Sequence, residues 1–162
     1  MKLGILADTH INELNENFTN LIKDCFKDVE LIIHAGDFTS SAVYEFLKSY
    51  RDFIGVFGNV DSPDIQNVLH EKEVVEASGY RIGIYHGHGN KGTSAGRAYH
   101  EFTEDKIDII VFGHSHQPLI QTKNGILMIN PGSLTNKRKE KRFSYVILEL
   151  LPDKIEATVK FF

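Results

Sequence analysis

Two short stretches of the sequence each place two metal-binding side chains two residues apart. The stretch ADTH carries Asp8 and His10, and the stretch GHSH carries His114 and His116. Side chains at positions i and i+2 of an extended backbone point to the same side, so each pair can direct two groups at one point. Carboxylate oxygen and imidazole nitrogen both bind divalent metals. The spacing therefore predicts that both pairs are pairs of metal ligands.

Other polar residues follow the ends of strand-like segments. The residues that come just after apolar runs are Asp8, Asp37, Asn59, His86 and His114. In open α/β sheets, ligand sites form beyond the carboxyl ends of the strands, where several loops converge. We therefore expect these side chains to lie together. Taken singly, each could instead be an ordinary capping or turn residue.

With His10 and His116 added, the set of donors contains two carboxylates, one amide and four imidazoles, and no sulfur. This is more than one tetrahedral ion needs. It suits two ions that share a bridging carboxylate, which lie roughly 3.5–4 Å apart in two-metal hydrolases. Two divalent ions, two carboxylates and a bridging hydroxide would leave about one positive charge, which attracts a phosphate anion.

The elements that must position these residues alternate in the first half of the chain. Apolar runs predict strands at 2–7, at 31–37 and within 53–63, where Gly58 stops the strand and a polar turn follows. Apolar residues at helical spacing predict helices over 13–27 and 40–50. A β-α-β-α-β order is typical of a parallel sheet with covering helices.

The second half of the chain is richer in hairpin signals. Alternating segments flank the turn residues Ser78-Gly79, Asn124-Gly125 and Pro152-Asp153, and each pair of segments predicts a hairpin. A helix is expected over roughly 94–105, followed by the apolar run that ends at His114. We therefore predict two packed sheets with helices outside, rather than one doubly wound sheet.

The composition indicates an ordinary globular protein, with 41% hydrophobic and 25% charged residues in a chain of 162. The chain is most simply one domain over 1–162. A net charge of −4 argues against a nucleic-acid partner other than a substrate. The basic stretch at 136–142 is interpreted as a solvated loop, and contact with a phosphorylated substrate is the alternative.

The sequence also limits redox chemistry and location. Cys25 is the only cysteine, so neither an intramolecular disulfide nor a thiolate metal cluster can form. No apolar run approaches the length of a membrane span, so no membrane partner is predicted. A reducing, cytoplasmic setting is expected.

Five blocks of sequence carry a resemblance to a known family. The blocks ADTH, HAGDF, FGNVD, YHGHG and GHSHQP, in this order and spacing, resemble the calcineurin-like metallophosphoesterases. With INPGS at 129–133, the chain resembles more narrowly the small bacterial and archaeal phosphodiesterases of that superfamily. The resemblance spans residues 3 to about 133. It implies an α/β protein with a four-layer α-β-β-α sandwich, in which two mixed sheets are flanked by helices.

The resemblance also implies a role for each matching residue. One metal would be held by Asp8, His10, Asp37 and His116, and the other by Asp37, Asn59, His86 and His114. Asp37 would bridge the two ions, and a hydroxide held between them would attack the phosphorus of a small phosphodiester. The resemblance favours Mn, and nitrogen and oxygen ligands also admit Fe, Ni, Co or Zn. Relatives often form dimers or tetramers, so a homo-oligomer is one of the expectations.

One departure from the family pattern concerns the proton donor. Many relatives, especially the protein phosphatases, carry a histidine directly after the asparagine of the third block, where this chain has Val60. Valine cannot give a proton to a leaving alkoxide. Small diesterases often lack this histidine too, which favours a diester substrate. His88 is the best substitute, as proton donor or phosphate contact, and a polar loop residue is the equal alternative.

Two other functions compete with the diesterase. One is a phosphomonoesterase, including a protein phosphatase. The other is a non-catalytic binding scaffold, because a retromer subunit keeps this fold without a complete catalytic set.

Four further polar residues have open roles. His34 lies inside an apolar strand and is expected to be a core histidine or a partner of a ligand rather than a ligand. His70 and His100 lie outside the blocks and are expected on the surface or in helices. Asp61 either orients a ligand or forms a turn.

Overall fold

The structure, a computed structural model that describes residues 1–162, contains two five-stranded sheets and four helices. In chain order the elements are β1 (Lys2–Leu6), α1 (Glu16–Cys25), β2 (Leu31–Ala35), α2 (Ser41–Tyr50), β3 (Asp52–Val56), α3 (Pro63–Gln66), β4 (Lys72–Ala77), β5 (Tyr80–Tyr85), α4 (Ser94–Glu101), β6 (Ile109–Val111), β7 (Leu119–Lys123), β8 (Ile126–Asn130), β9 (Ser144–Leu151) and β10 (Lys154–Phe161). None of the four helices is long and apolar enough to cross a bilayer.

The first sheet has the strand order β10-β9-β1-β2-β3. Strands β1, β2 and β3 are parallel, with Ile5 paired to Ile33 and Ile33 paired to Ile54, whereas β9 and β10 are antiparallel to their neighbours. Because the three parallel strands are in register, their carboxyl ends lie at one edge. The loops that carry Asp8, Asp37 and Asn59 therefore leave the sheet side by side.

The second sheet has the order β4-β5-β6-β8-β7. Its central strands β5, β6 and β8 are parallel, and antiparallel hairpins add β4 and β7 at the edges. The residues that follow β5 and β6 are His86 and the stretch from Phe112 to His116. Both sheets are thus mixed, as the resemblance implied.

Three apolar layers hold the sheets and helices together. The largest joins the inner faces of the two sheets, where Ile5 and Ile33 pack in the same cluster as Ile84 and Val111. A second layer packs α1 and α2 on the outer face of the first sheet, and a third packs α4 on the outer face of the second. This confirms the predicted four-layer α-β-β-α sandwich.

Helix boundaries differ from the sequence-based ranges for local reasons. The helix predicted over 13–27 begins only at Glu16, because the side chain of Asn15 accepts the N–H of Phe18 and caps it. The helix predicted over 94–105 ends at Glu101, and Phe102 turns into the core. Helix α3 was not predicted, because four residues are too few to show a helical period.

Candidate metal centre

Six of the seven predicted ligands form two adjacent groups of side chains. Within each group the possible ligand atoms all lie within 4.8 Å of one another, and the groups are Asp8, His10 and His116, and Asp37, His86 and His114. Each group contains residues from loops of both sheets. The centre therefore lies where the two layers of strands meet.

The carboxylate of Asp37 lies between the two groups. Its Oδ2 is 3.1 Å from Nε2 of His86 in its own group and 3.6 Å from Nε2 of His10 in the other. Asp8 has a similar place, because its Oδ1 lies 3.3 Å from Nε2 of His116 and 3.9 Å from Nε2 of His86. A single carboxylate can thus reach nitrogens on both sides, as a bridging ligand must.

The buried imidazole nitrogens test whether a cation fits here. Nδ1 of His86 donates to the carbonyl of Ala35 at 2.7 Å, so in the neutral imidazole Nε2 carries the lone pair. That Nε2 is buried without a hydrogen bond of adequate geometry, although Asp37 Oδ2 is near, and Nδ1 of His114 is likewise unpartnered. Buried polar atoms without partners are uncommon and costly. A divalent cation held by the group of Asp37, His86 and His114 would give both nitrogens a partner.

The first group shows a related arrangement. The rings of His10 and His116 stack with centroids 4.9 Å apart, and their Nε2 atoms are separated by 3.1 Å. Nδ1 of His116 donates to the backbone carbonyl of Asn136, so its Nε2 also presents a lone pair. Fixing one ring nitrogen through an outer hydrogen bond is how metal-binding histidines are commonly oriented.

The backbone at the candidate ligands is unusual. Five of the seven have positive φ: Asp8 (55°), His10 (45°), Asp37 (62°), His114 (69°) and His116 (58°). Only a few per cent of non-glycine residues adopt this conformation, and each costs on the order of 1–3 kcal/mol. The pairs two residues apart do converge. They do so through left-handed turns beyond the strand ends rather than through the extended backbone that the sequence suggested.

Two glycines in the sequence blocks are required by close approach. A Cβ at Gly58 would lie 2.6 Å from the backbone nitrogen of Asp37 and closer still to its Oδ1. A Cβ at Gly113 would lie 2.8 Å from Oδ2 of Asp8. The residues before Asn59 and His114 must therefore lack a side chain for the carboxylates to keep their places.

Asp61 holds the loop of Asp37. Its buried carboxylate accepts the backbone N–H of Asp37 at 2.9 Å, of Gly58 at 2.7 Å and of Thr39 at 2.8 Å. Burial raises the pKa of Asp61, and these hydrogen bonds oppose the rise. Of the two roles left open by the sequence, the one that fits is orientation of a candidate ligand.

The INPGS turn and His34 form hydrogen bonds with the loops that carry the candidate ligands. Oγ of Ser133 donates to the carbonyl of Asp8 at 2.7 Å, and Nδ2 of Asn130 donates to the carbonyl of Gly113 at 2.9 Å. His34 is fully buried and belongs to neither group. Its Nδ1 accepts the N–H of Gly36 at 3.1 Å, and its ring stacks on Phe38.

Burial and mutual charge set the protonation of the two carboxylates in opposite directions. Burial raises the pKa of Asp8 to about 7. Burial also acts to raise the pKa of Asp37, but the close approach and the charge of His86, whose Nε2 lies 3.1 Å from Oδ2, outweigh it and hold that pKa at about 2. The same two carboxylates raise the pKa of His86 in spite of its burial.

The remaining histidines of the two groups tend to stay neutral. Burial lowers the pKa of both His114 and His116 to about 4. Burial also lowers the pKa of His10, against the opposing charge of Asp37. Neutral imidazole is the form that binds metal, so these groups are ready to do so at neutral pH.

The other residues singled out in the sequence lie at the rim of the candidate metal centre or outside it. Asn59 is exposed, and its neighbour Val60 donates a backbone N–H to Oδ1 of Asp37 at 3.2 Å. The His88 ring centroid lies 5.8 Å from that of His86, and its Nε2 lies 3.3 Å from Oε1 of Glu71. His70 is exposed and pairs with Glu73, and His100 lies in α4. Both are outside the centre, as expected.

Sequence reasoning missed two contributors to the centre. Asn136 acts through its backbone carbonyl on His116, which no side-chain pattern could reveal. Arg138 belongs to the basic stretch interpreted as a solvated loop, yet its Nη1 donates to the carbonyl of His114 at 3.3 Å. The interpretation holds for Lys139, Lys141 and Arg142, which are exposed. The basic character of the stretch was the available signal for Arg138.

The arrangement of sheets and ligand loops defines a protein of the metallophosphoesterase type. Residues 1–153 match the model of the calcineurin-like phosphoesterase superfamily domain, and the chain belongs to this superfamily. It is 30% identical over 160 residues to a probable metallophosphoesterase of Methanothermobacter thermautotrophicus, with 98% of this chain and 91% of that protein covered. It is also 30% identical over 148 residues to a phosphodiesterase of Methanocaldococcus jannaschii, with 82% and 83% covered.

Solved structures show the same fold. The crystal structure of Vps29 from Chaetomium thermophilum superposes with a TM-score of 0.78 over 100% of this chain and 97% of that chain, at 17% identity. At this identity the likeness is one of fold alone.

Proposed function

We propose that the chain is a metal-dependent phosphodiesterase with a dinuclear centre. The observation that carries the proposal is the carboxylate of Asp37, which lies 3.1 Å from a nitrogen of one group and 3.6 Å from a nitrogen of the other. Family membership and the likeness to the phosphodiesterase of Methanocaldococcus jannaschii support the reaction class.

In this proposal every predicted ligand has a place. The first ion would be held by Asp8, His10, Asp37 and His116, and the second by Asp37, Asn59, His86 and His114. When bound, two divalent cations would lower the pKa of a coordinated water and neutralise charge on the phosphoryl oxygens. We expect Mn first, and Fe, Ni, Co or Zn suit the same donors.

The protein's own residues prepare the centre for this chemistry. The left-handed turn at Asp37 and the hydrogen bond from its N–H to Asp61 hold its backbone, and the N–H of Val60 binds its carboxylate, before any substrate arrives. The outer hydrogen bonds of His86 and His116 hold their rings with one lone pair facing inward. Groups that are already oriented need no reorganisation during the reaction.

A small diester is the proposed substrate. Val60 is 47% exposed at the rim beside Asn59 and offers no proton to a leaving group. His88 is the nearest histidine outside the two groups that could do so, as proton donor or as phosphate contact. One of its ring nitrogens faces Glu71, and the other is buried without a partner.

The test compares Asp37→Ala with Asp52→Asn, a change at an exposed carboxylate at the start of β3. Both variants and the wild type are reconstituted with Mn, and metal content and hydrolysis of bis(4-nitrophenyl) phosphate are measured. We expect two ions per chain in the wild type and in Asp52→Asn. Loss of a shared ligand should reduce metal content in Asp37→Ala and lower the rate by about 100-fold or more. Retention of both metal and activity by Asp37→Ala would rule out the bridge.

Matched substrates separate the proposal from its alternatives. The rate on 4-nitrophenyl phosphate, compared with the rate on the diester, distinguishes a phosphomonoesterase from a phosphodiesterase. A strong preference for the monoester would refute our proposal. A scaffold remains the second candidate, because the fold itself does not certify catalysis. Metal-loaded protein that hydrolyses neither ester nor a panel of cyclic nucleotides would favour the scaffold.

A further inference from the structure

The loop after β8 carries a guanidinium group to the rim of the candidate metal centre. Nη1 of Arg138 donates a hydrogen bond to the backbone carbonyl of His114 at 3.3 Å. Arg138 itself has a φ of 48°, so the chain turns into a left-handed conformation at this residue. A conformation this costly in a non-glycine residue is typically kept where the side chain has a defined place.

Two residues just before Arg138 hydrogen-bond to the loops that carry the candidate ligands. The carbonyl of Asn136 accepts Nδ1 of His116, and the hydroxyl of Thr135 donates to the carbonyl of Thr9. Thr9 lies between Asp8 and His10 in the sequence. The segment 133–138, which we call the rim loop, is therefore attached to the loops that carry both halves of the first ligand group.

Most of the hydrogen-bonding capacity of Arg138 is free. A guanidinium has five N–H donors, and a single one is used, by the His114 carbonyl. Arg138 is exposed, and it forms no ion pair with a carboxylate. A cation at the rim with unused donors is suited to bind an anion that arrives from solvent.

The charge of Arg138 acts on the centre, and the charge of Arg97 also acts on His114. Arg138 contributes to lowering the pKa of His10, His114 and His116, after the larger effect of burial. Lys139, Lys141 and Arg142 line a separate concavity with Phe161. The rim loop thus directs the side chain of Arg138 to the centre, whereas the basic residues that follow the loop lie at a separate concavity.

We propose that Arg138 binds a non-bridging oxygen of the phosphoryl group in substrate and in product phosphate. The planar guanidinium can give two parallel N–H groups to a phosphate, which an ammonium group cannot do. The contact rests on the proposed function in that the natural ligand is a phosphoester. Binding of inorganic phosphate, however, can be measured without any turnover.

The experiment measures inorganic phosphate binding to the Mn-loaded full chain by isothermal titration calorimetry. The variants are Arg138→Met, Arg138→Lys and, as the matched control, Lys139→Met. All keep a non-glycine residue at the position, so the left-handed turn at 138 is equally strained in each Arg138 variant. Metal content is determined for every sample, because a residue that only supported His114 would change it.

We expect Arg138→Met to retain its metal and to bind phosphate roughly 10- to 100-fold more weakly, the range of a charged hydrogen bond. Arg138→Lys should lie between the wild type and Arg138→Met, and Lys139→Met should stay within about twofold of the wild type. Equal affinity in Arg138→Met and the wild type would overturn the proposal. So would loss of metal in both Arg138 variants, or an equal loss of affinity in Lys139→Met.

The result is independent of whether diesters are hydrolysed. A wild-type protein that binds phosphate through Arg138 but cleaves no ester would refute the proposed function and keep this inference. A wild-type protein that cleaves diesters, together with an Arg138→Met variant that binds phosphate normally, would support the proposed function and refute this inference.

Discussion

The carboxylate of Asp61 accepts the backbone N–H of Asp37, 24 positions away, at 2.9 Å. The same carboxylate binds the N–H of Gly58 and of Thr39, so it joins the loop after β2 to the loop after β3. Asp37 and Thr39 both have positive φ. One buried acid that is not a candidate ligand therefore maintains the strained conformation of a candidate ligand.

Replacement of Asp61 should therefore affect stability and metal binding together. Asp61→Ala leaves three N–H groups without partners, and each such group costs about 1–3 kcal/mol when buried. We expect the free energy of unfolding in urea with EDTA to fall by about 3–5 kcal/mol, and metal content to fall as Asp37 loses its position. The control is Asp64→Asn, an exposed carboxylate in the first turn of α3. An Asp61→Ala protein with wild-type stability and full metal content would contradict this role.

Gly58 should tolerate no side chain. In Gly58→Ala the new methyl group would overlap the carboxylate of Asp37 and its backbone nitrogen, both held by surrounding hydrogen bonds. We expect displacement of Asp37, metal affinity reduced by about 10- to 100-fold and a matching loss of diesterase activity.

Gly96→Ala serves as the control for Gly58→Ala. Gly96 lies in α4, and a Cβ there meets a single atom, Oγ1 of Thr93, at 3.2 Å. Metal affinity in this variant should be unchanged. Equal effects of the two substitutions on metal affinity would show that the close approach at Gly58 is unimportant.

Metal uptake should release protons, and more of them at low pH. Burial raises the pKa of Asp8 to about 7, so in the metal-free protein this carboxyl is largely protonated at about pH 6 and largely ionised at about pH 8. A metal binds the ionised form, and apparent affinity should therefore rise by up to about tenfold per pH unit below 7 and then level off. His86, whose pKa is also raised, adds to the same trend.

Calorimetry in buffers of different ionisation enthalpy measures these protons directly. We expect about one or more protons released per chain at about pH 6 and fewer at about pH 8. His114 and His116 should not contribute in this range, because their pKa values of about 4 keep them neutral. Proton release that did not change between the two pH values would show that Asp8 is already ionised before metal binds.

His88 can be tested through the leaving group of the substrate. A proton donor matters for an alkoxide, as in a cyclic nucleotide, and hardly for the acidic phenol of bis(4-nitrophenyl) phosphate. If His88 is the proton donor, His88→Ala should lower the rate on a cyclic nucleotide by roughly 100-fold or more and leave the rate on bis(4-nitrophenyl) phosphate unchanged. If His88 contacts the phosphate instead, His88→Ala should lower both rates equally. Unchanged rates, as expected for the exposed control His70→Ala, would leave His88 as a polar residue of its loop.

Much of the fold could be predicted from local patterns. The apolar runs marked the buried strands, and turn pairs such as Asn124-Gly125 marked the hairpins, so the two-sheet arrangement followed. The positions of Asp8, Asp37, His86 and His114 after strands correctly predicted that they come together. Their role as ligands stays a prediction.

The details that fix the centre were not predictable because they depend on the backbone. The left-handed turns at residues such as His10 and His116 replace the extended geometry assumed for pairs two residues apart. The carbonyl of Asn136 and the direction of Arg138 depend on the path of a loop without a repeating pattern. Glu71 reaches His88 only through the pairing of β4 with β5, beyond the range of any local motif.

Each candidate ligand group contains residues from both sheets, so ion binding there would be coupled to the docking of the two halves of the sandwich. Asp8 and Asp37 follow strands of the first sheet, whereas His116 and His86 follow strands of the second. Any substitution that loosens the interface at Ile5 or Ile84, deep between the layers, should weaken affinity for the ions without touching a ligand. A bound pair of ions, in turn, would oppose separation of the layers, so the metal-loaded protein should resist mechanical or thermal opening along that plane.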